Sequence, residues 1–272
     1  MLLTETAYAK VNLALHLRAR RADGYHALET VFAFTEFGDL LRARPAPAIS
    51  LSVGGEFADA AGTGPDNLVL RAALALAAAG KVTAGAAIDL QKHIPVAAGL
   101  GGGSADAAAA LRLLSRLWRL DWPVERLAAL AATLGSDVPA CAASQTCFGS
   151  GRGELLSDWP GDLAETPVLL VNPRVAVPTG PVFAGWDQQD LGGIAPGAPL
   201  GTLRNDMTAA AMAIAPVIGD VLAALNATTP VLARMSGSGA TCLALYTDMT
   251  ARDRAAAALA PRGWWQMATR LH

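Results

Sequence analysis

The chain has 272 residues, a formal net charge of −2, 53% hydrophobic residues and 16% charged residues. This composition is typical of a compact folded protein, and the length suits one large domain or two modest ones. The near-neutral charge excludes a strongly basic surface for nucleic acid or anionic membranes. The apolar runs are interrupted by charge, glycine or proline, so we expect neither a transmembrane helix nor a secretory signal.

β-Strands are expected at the start of the chain, where apolar and β-branched residues are frequent. The predicted strands are Tyr8–Leu17, Leu28–Phe34 and Ile49–Val53. Helical spacing then predicts a helix over Asn67–Ala79, with Asp66 or Asn67 as its N-cap. A further strand, Ala86–Leu90, leads to a glycine-rich segment.

Helices are expected in the middle of the chain. They are one from about Ser104 (near the N-cap) to Trp118, one across Val124–Leu134, and one that starts near Asp137. Pro160 and Gly161 then interrupt the pattern. We therefore place a domain boundary near residue 160, which divides the chain into residues 1–160 and 161–272.

The remaining pattern mixes both element types after a strand and a Pro/Gly-rich passage. The predicted elements are the strand Val168–Val171, helices over Asp206–Ala213 and after Pro216, a glycine turn and strand over Ser236–Tyr246, the helix Ala251–Leu259 and the strand Trp264–Thr269. Strands come first, helices follow, and strands return late. This order indicates an α+β protein and not a regularly alternating parallel sheet.

The segment Ile94–Leu111 has glycines at positions 99, 101, 102 and 103, directly before a helical pattern. Glycines let backbone N–H groups approach a ligand without an obstructing Cβ, and a helix N-terminus favours anions. The segment therefore predicts a phosphate-binding loop, although a tight strand-to-helix turn is the alternative. It contains no lysine or arginine. A positive charge for the phosphate would have to come from elsewhere in the chain.

Two common nucleotide-binding motifs do not fit this loop. A P-loop needs Gly-Lys-Ser/Thr, whereas Ser104 follows Gly103 directly. The dinucleotide fingerprint needs glycine at the sixth position counted from Gly99, where Ser104 stands. A Rossmann oxidoreductase is therefore disfavoured.

Five segments carry a wider resemblance. They are AKVNLALHL from Ala9, DGYHALETVF from Asp23, GLGGGSADAA from Gly99, LGSDVPAC from Leu134 and SGSGAT from Ser236. In this order they resemble the GHMP small-molecule kinases, most closely those that act on a cytidine diphosphate derivative of methylerythritol. The resemblance extends from about residue 6 to residue 246. Five motifs in register are far more specific than one glycine loop.

The resemblance implies an α+β, two-domain GHMP kinase fold with the active site in the cleft between the domains. Residues 1–160 would form the N-terminal nucleotide-binding domain, and residues 161–272 the C-terminal GHMP-type substrate-binding domain. It implies an ATP-dependent kinase with an alcohol acceptor in the non-mevalonate (MEP) isoprenoid pathway, using ATP and Mg²⁺. We expect a cytoplasmic monomer or weak homodimer that binds a small-molecule substrate, no nucleic acid and no membrane.

Lys10 and Asp137 are the catalytic residues that the resemblance implies, Asp137 as the base and Lys10 as the missing cation. Taken alone, Lys10 would be a solvated residue on a strand, and Asp137 an ordinary helix N-cap followed by Pro139. Cys141, Cys147 and Cys242 lack metal-ligand spacing and predict reduced thiols. No residue is predicted as a metal ligand.

The implied nucleotide-binding segment is Pro95, Val96, Ala97, Ala98, Gly99, Leu100, Gly101, Gly102, Gly103, Ser104 and Ala105. Ala97 and Ala98 stand where the family usually has glycines, so we expect no positive φ there and phosphate contacts only from Gly99 onward. Asp106 is expected to be a first-turn acid that favours the helix dipole.

The implied substrate-binding residues are Asn12, Tyr25, His26, Thr179, Phe183, Gly237 and Gly239. Tyr25 would stack on the cytosine and His26 would hydrogen-bond to its edge, while Phe183 would close the other face of the base. Each also has a plain structural alternative, such as an exposed aromatic, a core phenylalanine or a tight turn. Two competing functions remain. One is a homoserine- or mevalonate-type kinase, and the other is a catalytically silent nucleotide-binding regulator on the same fold.

Overall fold

The computed structural model describes all 272 residues, and helices and strands are mixed along the chain. The first half contains β1 (Leu3–Arg20), β2 (His26–Ala46), β3 (Ser50–Gly54), α1 (Ala58–Ala61), α2 (Leu68–Gly80), β4 (Gly85–Gln91), α3 (Gly102–Leu117), α4 (Val124–Ala131) and α5 (Val138–Ala143). The second half contains β5 (Cys147–Ser150), β6 (Leu155–Asp158), β7 (Pro167–Asn172), α6 (Thr179–Ala184), α7 (Thr208–Ile214), α8 (Val217–Asn226), β8 (Leu232–Met235), β9 (Cys242–Leu245), α9 (Met249–Leu259) and β10 (Trp265–Arg270). The predicted α+β class is confirmed.

The chain forms two compact units that are interleaved along the sequence. Unit 1 consists of Met1–Lys10, Gly38–Val96 and Gly101–Ser144; unit 2 consists of Val11–Phe37, Ala97–Leu100 and Gln145–His272. A single cut near residue 160 does not describe these units, because β1, β2 and the glycine-rich segment each contribute residues to both. As a division into functional domains, the boundary stays a prediction.

Unit 1 combines a small sheet with packed helices. β4 pairs antiparallel with the end of β2 and parallel with β3. α3 packs on α2 and on α5, and its buried face is mostly alanine, which permits close helix approach. The Asn67 side chain accepts a hydrogen bond from the Val69 N–H at the start of α2, so the predicted N-cap is confirmed at Asn67. None of the chain's helices combines the length and apolar character needed to cross a bilayer.

Unit 2 is built on an antiparallel sheet in the order β10-β7-β9-β8. All six residues of β7 are buried, as expected of a strand covered on both faces. The core includes Leu15, Leu169, Met235 and Trp186. The start of β2 pairs separately with β5, which pairs with β6.

The helix after the glycine loop starts earlier than predicted. Gly101, with φ +61°, occupies the N-cap in the left-handed region, and α3 begins at Gly102. Ser104 therefore lies inside the first turn, and its prediction as the N-cap is wrong. Only glycine adopts this N-cap conformation without a Cβ penalty.

Candidate active site

Lys10 and Asp137 lie together in unit 1. The Lys10 Nζ is 3.0 Å from Asp137 Oδ2, and the Lys10 residue is only 4% exposed. Asp137 occupies the N-cap position of α5, but its side chain makes no capping hydrogen bond. Its carboxylate is instead directed to the lysine. The ion pair, and not a helix cap, is therefore what the Asp137 side chain forms.

Gly101 accommodates the stem of Lys10. A Cβ at Gly101 would lie 2.5 Å from Lys10 Cγ and 2.8 Å from Lys10 Cε, well inside van der Waals contact. Any other residue would displace the lysine. The side chain of Lys10, which comes from β1, therefore packs directly against the residue that precedes α3.

A second ammonium group lies at the start of the same helix. Lys92 Nζ is 2.8 Å from Asp106 Oδ2 and is also hydrogen-bonded to Asp39, and all three side chains are buried. A Cβ at Gly102 would lie 2.9 Å from this Nζ. The Asp39 carboxylate also accepts the backbone N–H groups of His93 and Ile94. This triad fixes the segment that enters the glycine loop.

The triad corrects the interpretation of Asp106, which was expected to be a first-turn acid. Asp106 is 3% exposed, and its Oδ1 has no hydrogen-bond partner. Burial raises the pKa of Asp106 to about 8, Lys92 opposes this shift, and Asp39 adds to it. Burial also lowers the pKa of Lys92, but the two carboxylates outweigh it, so that pKa is raised. Sequence reasoning missed Lys92 and Asp39, since each looks locally like a strand-end charge.

The middle of the glycine loop, Ala97–Leu100, belongs to unit 2, where the turn before β9 holds it. The Thr241 N–H donates to the Ala98 carbonyl at 3.1 Å, and the Ser236 hydroxyl donates to the Gly99 carbonyl at 2.8 Å. A Cβ at Gly99 would lie 2.3 Å from the Ser236 carbonyl oxygen. Gly99 is therefore required by close backbone packing.

Ala97 overturns the expectation that the alanines avoid positive φ. Its φ is +54°, in the left-handed region, which disfavours a residue with a Cβ. Ala98 does not share this conformation. The backbone of Ala97 thus keeps the shape that a glycine would adopt there, so the loop turns before Gly99.

The other residues of the predicted nucleotide segment flank this turn. Gly102, Gly103, Ser104 and Ala105 form the first turn of α3. The Ala105 N–H donates to the Gly101 carbonyl at 2.8 Å, so the N–H groups that favour an anion are those before it. Leu100 has a buried side chain, whereas Val96 is 40% exposed. Leu100 can therefore offer only its backbone to a nucleotide.

His26 lies in an aromatic cluster in unit 2. Its ring stacks on Phe183, with centroids 5.0 Å apart and an interplanar angle of 29°. Trp186, which sequence reasoning missed, meets the His26 ring edge-on, with the ring centroids 5.7 Å apart and an interplanar angle of 74°. Burial, followed by the charge of Arg20, lowers the pKa of His26. A neutral imidazole has one donor and one acceptor nitrogen, which suits recognition of a polar heterocycle edge.

Tyr25 precedes this cluster in the chain and is 55% exposed. The guanidinium of Arg152 lies 4.9 Å from the centroid of its ring, a cation–π contact that the sequence did not predict. Glu154 in turn pairs with Arg152. Tyr25 is thus an accessible aromatic surface that is supported from one side.

The turn 236–239 contacts Asn12 within unit 2. The Asn12 backbone N–H donates to the Ser236 hydroxyl at 3.1 Å, and its side-chain amide donates to Thr30 Oγ1 at 2.8 Å. A Cβ at Gly237, which has a φ of +55°, would lie 3.2 Å from Asn12 Oδ1. This carbonyl oxygen is therefore held directly beside the glycine.

The same turn is joined to α6. The hydroxyls of Thr179 and Ser238 are hydrogen-bonded at 3.0 Å, and Thr179 is the first residue of the helix that carries Phe183. Gly239 also has a positive φ, of +87°. The hydrogen bond between Thr179 and Ser238 thus links α6, which carries Phe183, to the turn that carries Gly237 and Gly239.

No group of three or more histidine, cysteine, aspartate or glutamate side chains is arranged to hold a metal ion. This does not conflict with Mg²⁺, which commonly binds through substrate phosphates, water and one or two carboxylates. The three cysteines are free and buried, and burial raises the pKa of Cys147 to about 11. They are therefore inert thiols at neutral pH.

Comparison with known proteins agrees with the resemblance seen in the motifs. Residues 67–145 match the GHMP kinases N terminal domain, and residues 188–264 match the GHMP kinases C terminal domain. The chain is 55% identical to a 4-diphosphocytidyl-2-C-methyl-D-erythritol kinase of Rhizorhabdus wittichii, over 98% of this chain and 94% of that protein. The corresponding kinase of Novosphingobium aromaticivorans is 52% identical, over 98% and 92% of the two chains. A crystal structure of 4-(cytidine 5'-diphospho)-2C-methyl-D-erythritol kinase matches with a TM-score of 0.84 at 34% identity, and 99% of each chain is covered.

Proposed function

This chain belongs to the GHMP kinase family, and we propose that it transfers the terminal phosphoryl group of ATP to the 2-hydroxyl of 4-diphosphocytidyl-2-C-methyl-D-erythritol. The products are ADP and the 2-phosphate of the substrate, within the non-mevalonate pathway to isoprenoid precursors. The observation that carries the proposal is the 3.0 Å pair of Lys10 and Asp137, packed against the glycine that opens α3. The names of the relatives support the choice of acceptor.

Asp137 is the proposed base. As the substrate oxygen forms its bond to the terminal phosphorus, the bond from that phosphorus to the bridging oxygen of ATP breaks, and ADP leaves. The proton of the hydroxyl passes to the Asp137 carboxylate. The side chain of Asp137 is 31% exposed, so a substrate can reach it, while Lys10 is almost fully buried and is held in place. Lys10 orients the carboxylate and offsets negative charge during transfer.

The segment from Pro95 to Ala105 is the proposed binding site for the ATP phosphates. The first-turn N–H groups of α3 supply donors with a favourable dipole, and Gly101 turns the backbone in front of them. Mg²⁺, when bound with ATP, neutralises charge on the phosphates.

The aromatic cluster supports recognition of cytosine. We propose that the base stacks on the exposed ring of Tyr25, that His26 hydrogen-bonds to its edge, and that Phe183 limits the other face. Asn12 and Thr179, with the backbone of Gly237 and Gly239, would contact the hydroxyls and diphosphate. Arg152 adds a positive charge beside Tyr25, which suits a diphosphate substrate.

The reaction is tested by measuring ADP release with purified protein, ATP, Mg²⁺ and 4-diphosphocytidyl-2-C-methyl-D-erythritol. Turnover on this substrate, with none on homoserine or mevalonate, is expected. Turnover only on homoserine or mevalonate would move the protein to another branch of the family. Binding of ATP without turnover on any acceptor would favour a silent regulator.

We also propose that the enzyme is a cytoplasmic protein that acts as a monomer or weak homodimer. Both proposed substrates are small polar molecules, and none of the three cysteines forms a disulfide. Light scattering over a range of protein concentrations measures the oligomeric state. A stable higher oligomer at low concentration would contradict this part of the proposal.

A further inference from the structure

Arg112 joins three elements of unit 1. Its Nε donates to Glu5 Oε1 at 2.9 Å and one Nη to the Thr6 carbonyl at 3.1 Å, both on β1. Its other Nη donates to the carbonyls of Cys141 and Ala142 at 2.7 and 3.1 Å, at the end of α5. The arginine itself belongs to α3, the helix that starts at the glycine loop. One guanidinium therefore connects the elements that carry Lys10, Asp137 and the loop.

The contacts of Arg112 lie close in the chain to the ion pair. Thr6 precedes Lys10 on the same extended strand by a span of about 13 Å. Cys141 contacts both residues. Its carbonyl accepts a hydrogen bond from Arg112, and its N–H donates to the Asp137 carbonyl at 3.1 Å. A cation is also electrostatically favoured at a helix C-terminus.

The helix α5 depends on such contacts for its position. It has six residues, far below the length at which an isolated helix is stable in water. Pro139 is in its first turn, and Ser144 ends it in the left-handed conformation. Without a partner for the last carbonyls, the helix can shift or fray, and Asp137 would shift with it.

We propose that Arg112 is a positioning residue, which fixes the separation of Lys10 and Asp137 by tying β1 to the C-terminal end of α5. The inference rests on the proposed phosphoryl transfer, in which these two side chains flank the reacting group. A displacement of about 1 Å at such a site costs on the order of 100-fold in rate. The residues proposed to contact the substrate and ATP do not include Arg112, so its loss should act on turnover and leave substrate binding largely unchanged.

Arg116 provides a matched control on the same helix. It binds the other Glu5 oxygen at 2.5 Å and the Thr4 carbonyl at 3.2 Å, but its contacts do not include α5, and its side chain is 50% exposed. Both arginines thus hold β1, and Arg112 additionally holds α5. If Arg112 only stabilised the fold, the Arg112 and Arg116 variants would differ in melting temperature. Their kcat and KM values would then change in the same way.

The test compares Arg112→Met with Arg116→Met by steady-state kinetics in both substrates and by thermal melting. We expect Arg112→Met to lower kcat by about 10- to 100-fold with both KM values within about threefold of wild type, and free guanidinium at millimolar concentration to restore part of kcat. Arg116→Met should keep kcat within about threefold. If Arg112→Met does not fold, Arg112→Lys is compared with Arg116→Lys by the same criteria. The expected loss is then smaller, about 3- to 10-fold, because the ammonium cannot reach β1 and α5 at the same time, as the guanidinium does.

A folded Arg112 variant with wild-type kcat would overturn the inference, as would equal losses in the Arg112 and Arg116 variants or a loss confined to KM. Absence of turnover in the wild-type protein would instead contradict the proposed function itself. The two failures are therefore distinguishable.

Discussion

Replacement of Gly101 by alanine tests the fit between the glycine loop and Lys10. The new Cβ would meet the lysine stem at 2.5 Å, whereas ordinary carbon contacts are about 3.5–4.0 Å, so the stem must move by about 1 Å. Lys10 is 4% exposed and paired with Asp137, so it has little room to move without losing that pair. We expect kcat to fall on the order of 100-fold.

The same substitution also reduces stability for two separable reasons. The φ of +61° at Gly101 makes a left-handed alanine unfavourable by about 1–2 kcal/mol, and overpacking against the lysine adds about 1–3 kcal/mol. Gly263 is the matched control, because it is left-handed with φ +70° but a Cβ there meets nothing within 4 Å. Gly263→Ala should show only the backbone effect and keep kcat.

The assay is urea unfolding of both variants together with turnover under saturating ATP and acceptor. The difference between the two variants isolates the displacement of Lys10 from the backbone strain. If Gly101→Ala has the stability and kcat of Gly263→Ala, then the lysine does not depend on the glycine, and the reasoning is refuted.

Three further predictions follow from individual residues. The raised pKa of Asp106 makes the native state bind more protons at this residue than the unfolded state does, so the contribution of Asp106 to stability should fall as the pH rises from about 4 to 8. Stability should therefore change with pH differently in Asp106→Asn and in the wild type, by up to about 1.4 kcal/mol per pH unit. Identical slopes of the two proteins in urea unfolding at pH 5.5, 7 and 8.5 would contradict this. Ala97→Gly should raise the unfolding free energy by about 0.5–1 kcal/mol, since it relieves a φ of +54°, and a lower melting temperature would count against the strain. Phe183→Ala removes the ring that stacks on His26. It should raise KM for the cytidine substrate by about 5- to 150-fold and leave KM for ATP unchanged. An equal change in both KM values would exclude a role of Phe183 that is specific to the cytosine base.

Elements with strong local signals could be predicted from the sequence. The helical spacing and polar cap at Asn67 gave α2 within a residue or two, and the turn at 236–241 was expected to lead into a strand, as β9 does. The β1 strand is longer than predicted, because its ends are polar and lack the alternation of its centre. The α6 helix was missed since its Pro and Gly residues are typical of a loop, although Pro178 at the N-cap and a single buried Val182 are compatible with a short helix.

The site was predictable only in part, for a different reason. The pairing of Lys10 with Asp137 was inferred from the motif resemblance and is confirmed as a contact, while the catalytic roles stay predictions. The Lys92 triad and Arg112 were missed, because their partners are far away in sequence and a single charged residue carries no local sign of burial. The left-handed conformation of Ala97 was missed because residues with a Cβ usually avoid it. The turn is held by hydrogen bonds from the Thr241 N–H and the Ser236 hydroxyl to the backbone carbonyls of the two residues that follow Ala97.

The most direct test of the account is the single-turnover rate of Asp137→Asn with ATP, Mg²⁺ and the cytidine substrate. The asparagine keeps the shape of the side chain but cannot accept the proton of the hydroxyl. We expect the rate to fall by roughly 10²–10⁴-fold while the Kd for ATP stays within about threefold of wild type. A near-normal rate in a folded variant would contradict the role of Asp137 as the base, and with it the proposed mechanism.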